Sequence, residues 1–125
     1  MSQHEVFHRL LGAWNEPNAE RRKETVRASL AAAFVYADPH RPGEMTKHEE
    51  FDEFLEIFRA RVPGVEVKPG ERFSQHHAYA RAEFVILRGE SVFAAGTYFL
   101  EFDESHRIVK MIGFLDREPG APDSS

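Results

Sequence analysis

A chain of 125 residues, 42% hydrophobic and 12% aromatic, has the length of one domain and enough apolar content to bury a core without cross-links. Its formal net charge of −5 speaks against a nucleic-acid partner, because neutralising phosphates takes clustered Lys and Arg. The absence of cysteine excludes disulfides and thiolate chemistry and fits a reducing compartment. The first residues carry no basic region followed by a long apolar run, and no segment approaches the ~20 apolar residues of a membrane span. The expectation is a cytoplasmic protein without a signal peptide or membrane contact. The basic cluster Arg21-Arg22-Lys23 is followed by Glu24 and reads as a solvated helix face.

Ser2 and Glu5 have the spacing of a capping box, and Val6, Phe7, Leu10, Leu11 and Trp14 then recur at helical spacing until Pro17. Asn18 is placed to cap a second helix running to about Leu30 with an alanine-rich end. A short strand follows, Phe34 to Ala37, closed by Asp38-Pro39. His40-Arg-Pro-Gly43 is a turn by composition. Thr46 and Glu49 repeat the capping signature before a third helix, whose stripe Phe51, Phe54, Leu55, Phe58 faces the core and which stops at Pro63-Gly64.

From Val65 the period becomes two. Val65–Lys68, Phe73–Leu87, Val92–Phe102 and Ile108–Leu115 read as strands, with hairpin turns at Arg88–Ser91 and Asp103–His106. The central strands are apolar on both alternations over part of their length, as in a sheet covered by helices on one side and a second subunit on the other. Gly96 interrupts a strong strand and marks a bend or bulge. The elements predict an α+β fold: a cone-like, curved antiparallel sheet wrapped around three N-terminal helices and enclosing a pocket. One domain, 1–117, is expected, with a loose tail at 118–125 that carries two prolines and a glycine.

The order of these elements, with Phe34-Val-Tyr-Ala-Asp-Pro39, His76-His77-Ala-Tyr-Ala-Arg81, Ala95-Gly96-Thr-Tyr98 and Arg107-Ile-Val-Lys-Met-Ile-Gly-Phe114, resembles the SnoaL-like family of the nuclear transport factor 2-like superfamily. That fold hosts isomerases, cyclases, hydrolases, dehydratases and non-catalytic modules, so the resemblance implies a fold more than a reaction.

Within the resemblance, Asp38 falls where ketosteroid isomerases carry a general base, although Asp-Pro is equally a common turn. A carboxylate in an apolar site suits proton abstraction next to a carbonyl. The phenol that those isomerases carry on the first helix falls near Leu10, and their second donor falls near Tyr98. Tyr98 is thus the candidate hydrogen-bond donor. SnoaL-type cyclases use a late-strand aspartate whose place is also taken by Tyr98, so aldol cyclisation by that route is not implied. Arg81 and Glu83, two apart on one strand face, resemble the water-holding pair of limonene-type epoxide hydrolases, whose further acid is replaced near Gly113. An ion pair on a solvated face is the plainer account of the two.

His76 and His77 would point to opposite faces of a strand, which leaves one of them, with His77 the working choice, as a cavity-facing proton shuttle. Ala78 stands where relatives have an orienting Asp. The expected site therefore has Asp38, Tyr98 and His77 in catalytic roles. Trp14, Phe34, Tyr36, His40, Phe58, His76, Arg81 and Glu83 are the residues expected against the substrate. No metal and no cofactor is expected. The function read from the sequence is binding of a small hydrophobic molecule, with proton transfer of the isomerase or lyase type at Asp38. The alternatives are a non-catalytic binding or dimerisation module, and epoxide hydrolase-like water addition. A homodimer through the sheet is expected.

Overall fold

The computed structural model describes residues 1–118; the segment expected to form a loose tail lies, from residue 119 on, outside the described residues. The elements run α1 (Gln3–Asn15), α2 (Ala19–Ser29), β1 (Leu30–Ala37), α3 (His48–Arg61), β2 (Val65–His76), β3 (Tyr79–Arg88), β4 (Ser91–Phe102) and β5 (Ile108–Arg117). This is an α+β arrangement in which the helices cover one face of an open five-stranded sheet, ordered β1-β5-β4-β3-β2. The sheet is mixed rather than wholly antiparallel, because β1 pairs with β5 in parallel.

The helix starts follow capping chemistry. Ser2 Oγ accepts the Glu5 amide and Glu5 Oε1 accepts the Ser2 amide, both at 3.1 Å, while Asn18 Oδ1 accepts the Arg21 amide at 3.0 Å. In α3 the cap falls one residue later than Thr46 and Glu49 suggest. There Glu50 Oε1 accepts the amides of both Thr46 and Lys47 at 3.1 Å, and these bonds hold the Glu50 carboxyl below its usual range. Arg22 corrects the reading of a solvated basic cluster. It is buried, and its guanidinium donates to the carbonyls of Glu16 and Pro17, tying the α1–α2 turn together.

Two strand boundaries also differ from the sequence reading. β1 begins at Leu30, directly after α2, where Leu30 pairs with Ile108 of β5, and the alanines that follow lie in a register irregularity before pairing resumes at Val35. The long strand expected from Phe73 breaks instead at His77-Ala78, where His77 takes φ 55°. Pro69 and Gly70 lie within a register irregularity of β2 rather than between strands. β2 is an edge strand, the place in a sheet where a proline is tolerated.

The core lies between the helices and the inner sheet face. Phe7, Leu10, Leu11 and Trp14 of α1 and Phe51 and Leu55 of α3 meet Ala82, Phe84, Tyr98 and Leu100. Each large apolar side chain buried there contributes roughly 2 kcal/mol by area. Side-chain alternation sends Ala80, Ala82 and Phe84 inward and Tyr79, Arg81 and Glu83 outward. Register irregularities recur in the β2–β3, β3–β4 and β4–β5 ladders, and such bulges add twist and curvature.

Gly96 sits at the β4–β5 irregularity, as its place in the sequence suggests. A Cβ there would lie 2.2 Å from the Phe114 carbonyl oxygen and 2.7 Å from the Phe84 ring. Gly96→Ala is therefore expected to destabilise the protein by about 2–3 kcal/mol, read as a shift in the urea midpoint. An unchanged midpoint would show that the strand crossing has room to spare.

Candidate functional site

β1 carries Tyr36 inward and ends as the chain reaches Asp38. Tyr36 is fixed on both sides. Its ladder partner on β5 is Met111. On the other edge its amide and carbonyl exchange 2.9 Å bonds with Met45. Tyr36 Oη donates to Asp38 Oδ2 at 2.8 Å and stands 3.0 Å from Tyr98 Oη, while Asp38 Oδ1 accepts the His40 amide at 2.9 Å. A carboxylate has no proton to give, and Tyr36 has only one. With Tyr36 donating to Asp38, the Tyr98 hydroxyl must donate to Tyr36. The chain of protons runs Tyr98 to Tyr36 to Asp38, and it leaves a lone pair of Tyr98 unbonded.

Gly113 makes this convergence possible. A Cβ on it would lie 2.7 Å from Tyr98 Cε1 and 3.5 Å from Asp38 Cβ, so the glycine lets the phenol ring lie flat against β5. Phe84 packs on the other side of Tyr98, with centroids 4.6 Å apart. Above the phenols lies a cavity of about 120 Å³, walled by Trp14, Phe54, Phe58 and Phe84 together with the rings of Tyr36 and Tyr98, and with Asp38 and His40 among its lining. That volume is near the ~150 Å³ of an engineered cavity that accepts benzene, so the part of the space between the walls suits about six heavy atoms, while its mouth is open to solvent.

The residues expected at the site separate into groups. Asp38, Tyr36 and Tyr98 meet, with Trp14 and Phe58 on the walls. His40 is at the rim, exposed, with Nε2 3.7 Å from Glu118 Oε2. Phe34 is core, stacked on His48 at 5.5 Å and set edge-on to Phe51.

The remaining expected residues are not brought to Asp38. Arg81 and Glu83 face the opposite side of the sheet. Glu83 Oε1 accepts the Arg72 amide at 3.1 Å, securing the irregular stretch of β2. Arg81, His76, Tyr79 and Phe99 border a depression of about 330 Å³ on that outer face. His76 and His77 do not point to opposite faces, because the turn at His77 ends the strand. Both are exposed, with their Nδ1 atoms 3.0 Å apart. The outer depression is larger, but no buried titratable chain opens into it, so the smaller inner cavity is the candidate site. Among the described residues no group of three or more His, Asp and Glu side chains is placed to hold a metal ion.

Of the lining residues, Pro39, Phe54, Phe84, Ile86, Gly113, Phe114 and Leu115 were not among those expected at the site. Phe54 and Phe84 read as core because an inward aromatic at helix or strand spacing looks the same whether or not a void adjoins it. Gly113 was noted only for the acid it replaces. Its position inside an apolar strand was the available signal of close approach.

No protein-family model matches the chain, and no curated protein matches it. Solved structures do. A candidate isomerase of the SnoaL-like family from Agrobacterium tumefaciens str. C58 is 26% identical, with TM-score 0.83 over 93% of this chain and 99% of that one. A candidate ketosteroid isomerase from Kribbella flavida DSM 17836 is 17% identical, with TM-score 0.68 over 98% and 83%. An LEH-like epoxide hydrolase from M. tuberculosis is 16% identical, with TM-score 0.58 over 90% and 84%. The chain has the fold of the nuclear transport factor 2-like superfamily, in the form seen in the SnoaL-like protein. Isomerase-like and epoxide hydrolase-like proteins both share it.

Burial is the chief cause that raises both site phenols above the ordinary tyrosine value, and the Asp38 charge pushes in the same direction. A raised folded-state pKa means that the unfolded chain releases these protons first. Their contribution is complete below about pH 10 and is lost as pH climbs above it. Tyr36→Phe is expected to cost about 1–3 kcal/mol at neutral pH and to flatten the fall in stability above pH ~10 seen by urea unfolding. Equal slopes in wild type and variant would count against a buried, neutral Tyr36.

Proposed function

We propose that the protein binds a compact, mostly apolar molecule in the inner cavity and moves a proton on it, with Asp38 as the final acceptor. The observation that carries this is the unbroken chain Tyr98–Tyr36–Asp38, with links of 3.0 and 2.8 Å, at the floor of an aromatic cavity. A donor group of the ligand would give its proton to Tyr98, Tyr98 to Tyr36, and Tyr36 to Asp38. Each phenol ends as neutral as it began, and Asp38 ends as the neutral acid. Burial favours this pattern, since it disfavours leaving charge on either phenol.

Isomerisation through an enolate is supported less well. Such chemistry needs donors aimed at the forming oxyanion, whereas the Tyr98 proton is committed to Tyr36 and the first helix offers Leu10 at the expected place. This observation favours a second reading, ligand binding without turnover. A panel of molecules with five or six heavy atoms, followed by NMR in D2O, separates the two. Proton transfer predicts that ligand-dependent exchange falls about a hundredfold or more in Asp38→Asn while binding near Gly113 persists. Exchange undiminished in the variant would remove Asp38 from the chemistry. Shifts confined to the residues around Arg81 would move the ligand out of the cavity altogether. The water-addition reading finds little support, because Arg81 and Glu83 face away from the enclosed space.

The same proposal has two copies of the chain meeting through the outer sheet face, in a cytoplasmic setting that suits a cysteine-free sequence. Tyr79, Phe99 and Phe114 are 52%, 47% and 51% exposed there, and the rings of Phe99 and Phe114 meet at 5.6 Å. Solvent-facing aromatics in one patch mark an association surface. Sedimentation should give twice the 14.4 kDa chain mass, and the double substitution Phe99→Lys and Phe114→Lys should return the single-chain mass. A wild-type protein sedimenting as one chain would end the dimer proposal.

A further inference from the structure

Deepening the reading of the inner cavity as a ligand site, we infer that its ligand is a compact alkylammonium ion, held by Asp38 and the surrounding aromatic rings. Three features of the site converge on that class. The first is polarity. The Tyr98 and Tyr36 protons both point along the chain toward Asp38, so the phenol nearest the ligand space presents a lone pair rather than a hydrogen. Asp38 itself only accepts. A ligand that meets the phenols and Asp38 must therefore bring the donors, since the Trp14 indole N–H and the His40 ring are the donors of the lining outside that group.

The second is charge. Asp38 is half-buried, and its two oxygens accept one bond each, from a phenol and from a backbone amide, both neutral. Among the described residues no Lys, Arg or His side chain pairs with it. His40 at the rim faces Glu118 instead. Arg41 has its guanidinium carbon 6.0 Å from the Phe54 centroid and is not among the residues lining the cavity. A carboxylate drawn partly out of water and left without a counter-ion is complementary to a cation.

The third is the wall. Trp14, Tyr36, Phe54, Phe58, Phe84 and Tyr98 surround the space, and the faces of aromatic rings attract a cation once it has been desolvated. A neutral apolar ligand would use the same rings but would leave the carboxylate unpaired. The space of about 120 Å³ between the walls suits a cation of a few carbons around one nitrogen. Bound there, its N–H would donate to the free lone pair of Tyr98, which is also the entry of the proposed proton relay.

The test compares tert-butylammonium chloride with tert-butanol, two probes of the same shape that differ in charge, by NMR titration of the wild-type chain at constant ionic strength. The expected result is binding at the cavity by both, with the ammonium tighter by about tenfold or more, and a preference that vanishes in Asp38→Asn. The wild-type comparison alone is decisive if that variant misfolds. Equal affinities, or a preference for the alcohol, would overturn the ammonium assignment while leaving the cavity as a ligand site. A preference that survived in Asp38→Asn would move the cation away from Asp38 and overturn it as well. If neither probe shifted Gly113 or the phenol rings, the cavity reading and the ligand class would fall together.

Discussion

The parallel pairing of β1 with β5 is the constraint on which the candidate site depends. It joins residues 35–37 to residues 110–112, across most of the chain, and so sets Tyr36 beneath Tyr98 and Asp38 beside Gly113. Met45 returns to the free edge of β1 and bonds the Tyr36 amide and carbonyl, so the backbone carrying the central phenol is held from both sides. A phenol fixed in this way reaches two hydrogen-bond partners without the entropy loss that a mobile side chain would incur. The aromatic packing of Tyr36 against Phe51 and Phe54 then fixes its ring.

The site that results is defined by how few protons it holds. Two phenols and one carboxylate share two hydrogens, and a carboxylate at one end sets the direction of both. Satisfying every buried polar group in a chain of this kind is what makes it rigid. The same satisfaction commits the Tyr98 hydrogen, the donor that carbonyl chemistry would use at that place. The floor of the cavity is consequently an acceptor surface bearing a charge, under walls that are largely aromatic with Ile86 and Leu115 among them. Its chemistry follows from the order of the hydrogen bonds more than from the presence of a carboxylate.

Alternation along β3 accounts for the separation of the two candidate acid-base groups. With Ala82 opposite Tyr98 and Arg81 opposite Phe99, the inner face belongs to small and aromatic side chains and the outer face to Arg81 and Glu83. A shift of one residue in register would exchange the two sets. The buried Ala82 and Phe84 make that exchange costly, which ties the location of the charges to the packing of the core.

Local chemistry made much of the fold legible. The Ser2–Glu5 and Asn18 caps, the α1 stripe ending at Trp14, the α3 stripe from Phe51, the hairpin turns and the interruption at Gly96 are all short-range patterns, and each is found where its pattern lies. The departures have different causes. The start of β1 was settled by Ile108, distant in the chain, whereas Arg22 is held by carbonyls only five and six residues away and the break at His77 is a tight turn between neighbouring strands. The same division runs through the site. The sequence by itself determined that an acid stood at the end of an inward-pointing aromatic strand, and that a tyrosine stood at the place of a missing carboxylate. Only the tertiary structure decided that Tyr36 lies between them and that the arginine and both histidines lie elsewhere. Which way the Tyr98 proton points was also a tertiary matter, because hydrogen-bond direction depends on groups that meet only once the sheet has formed.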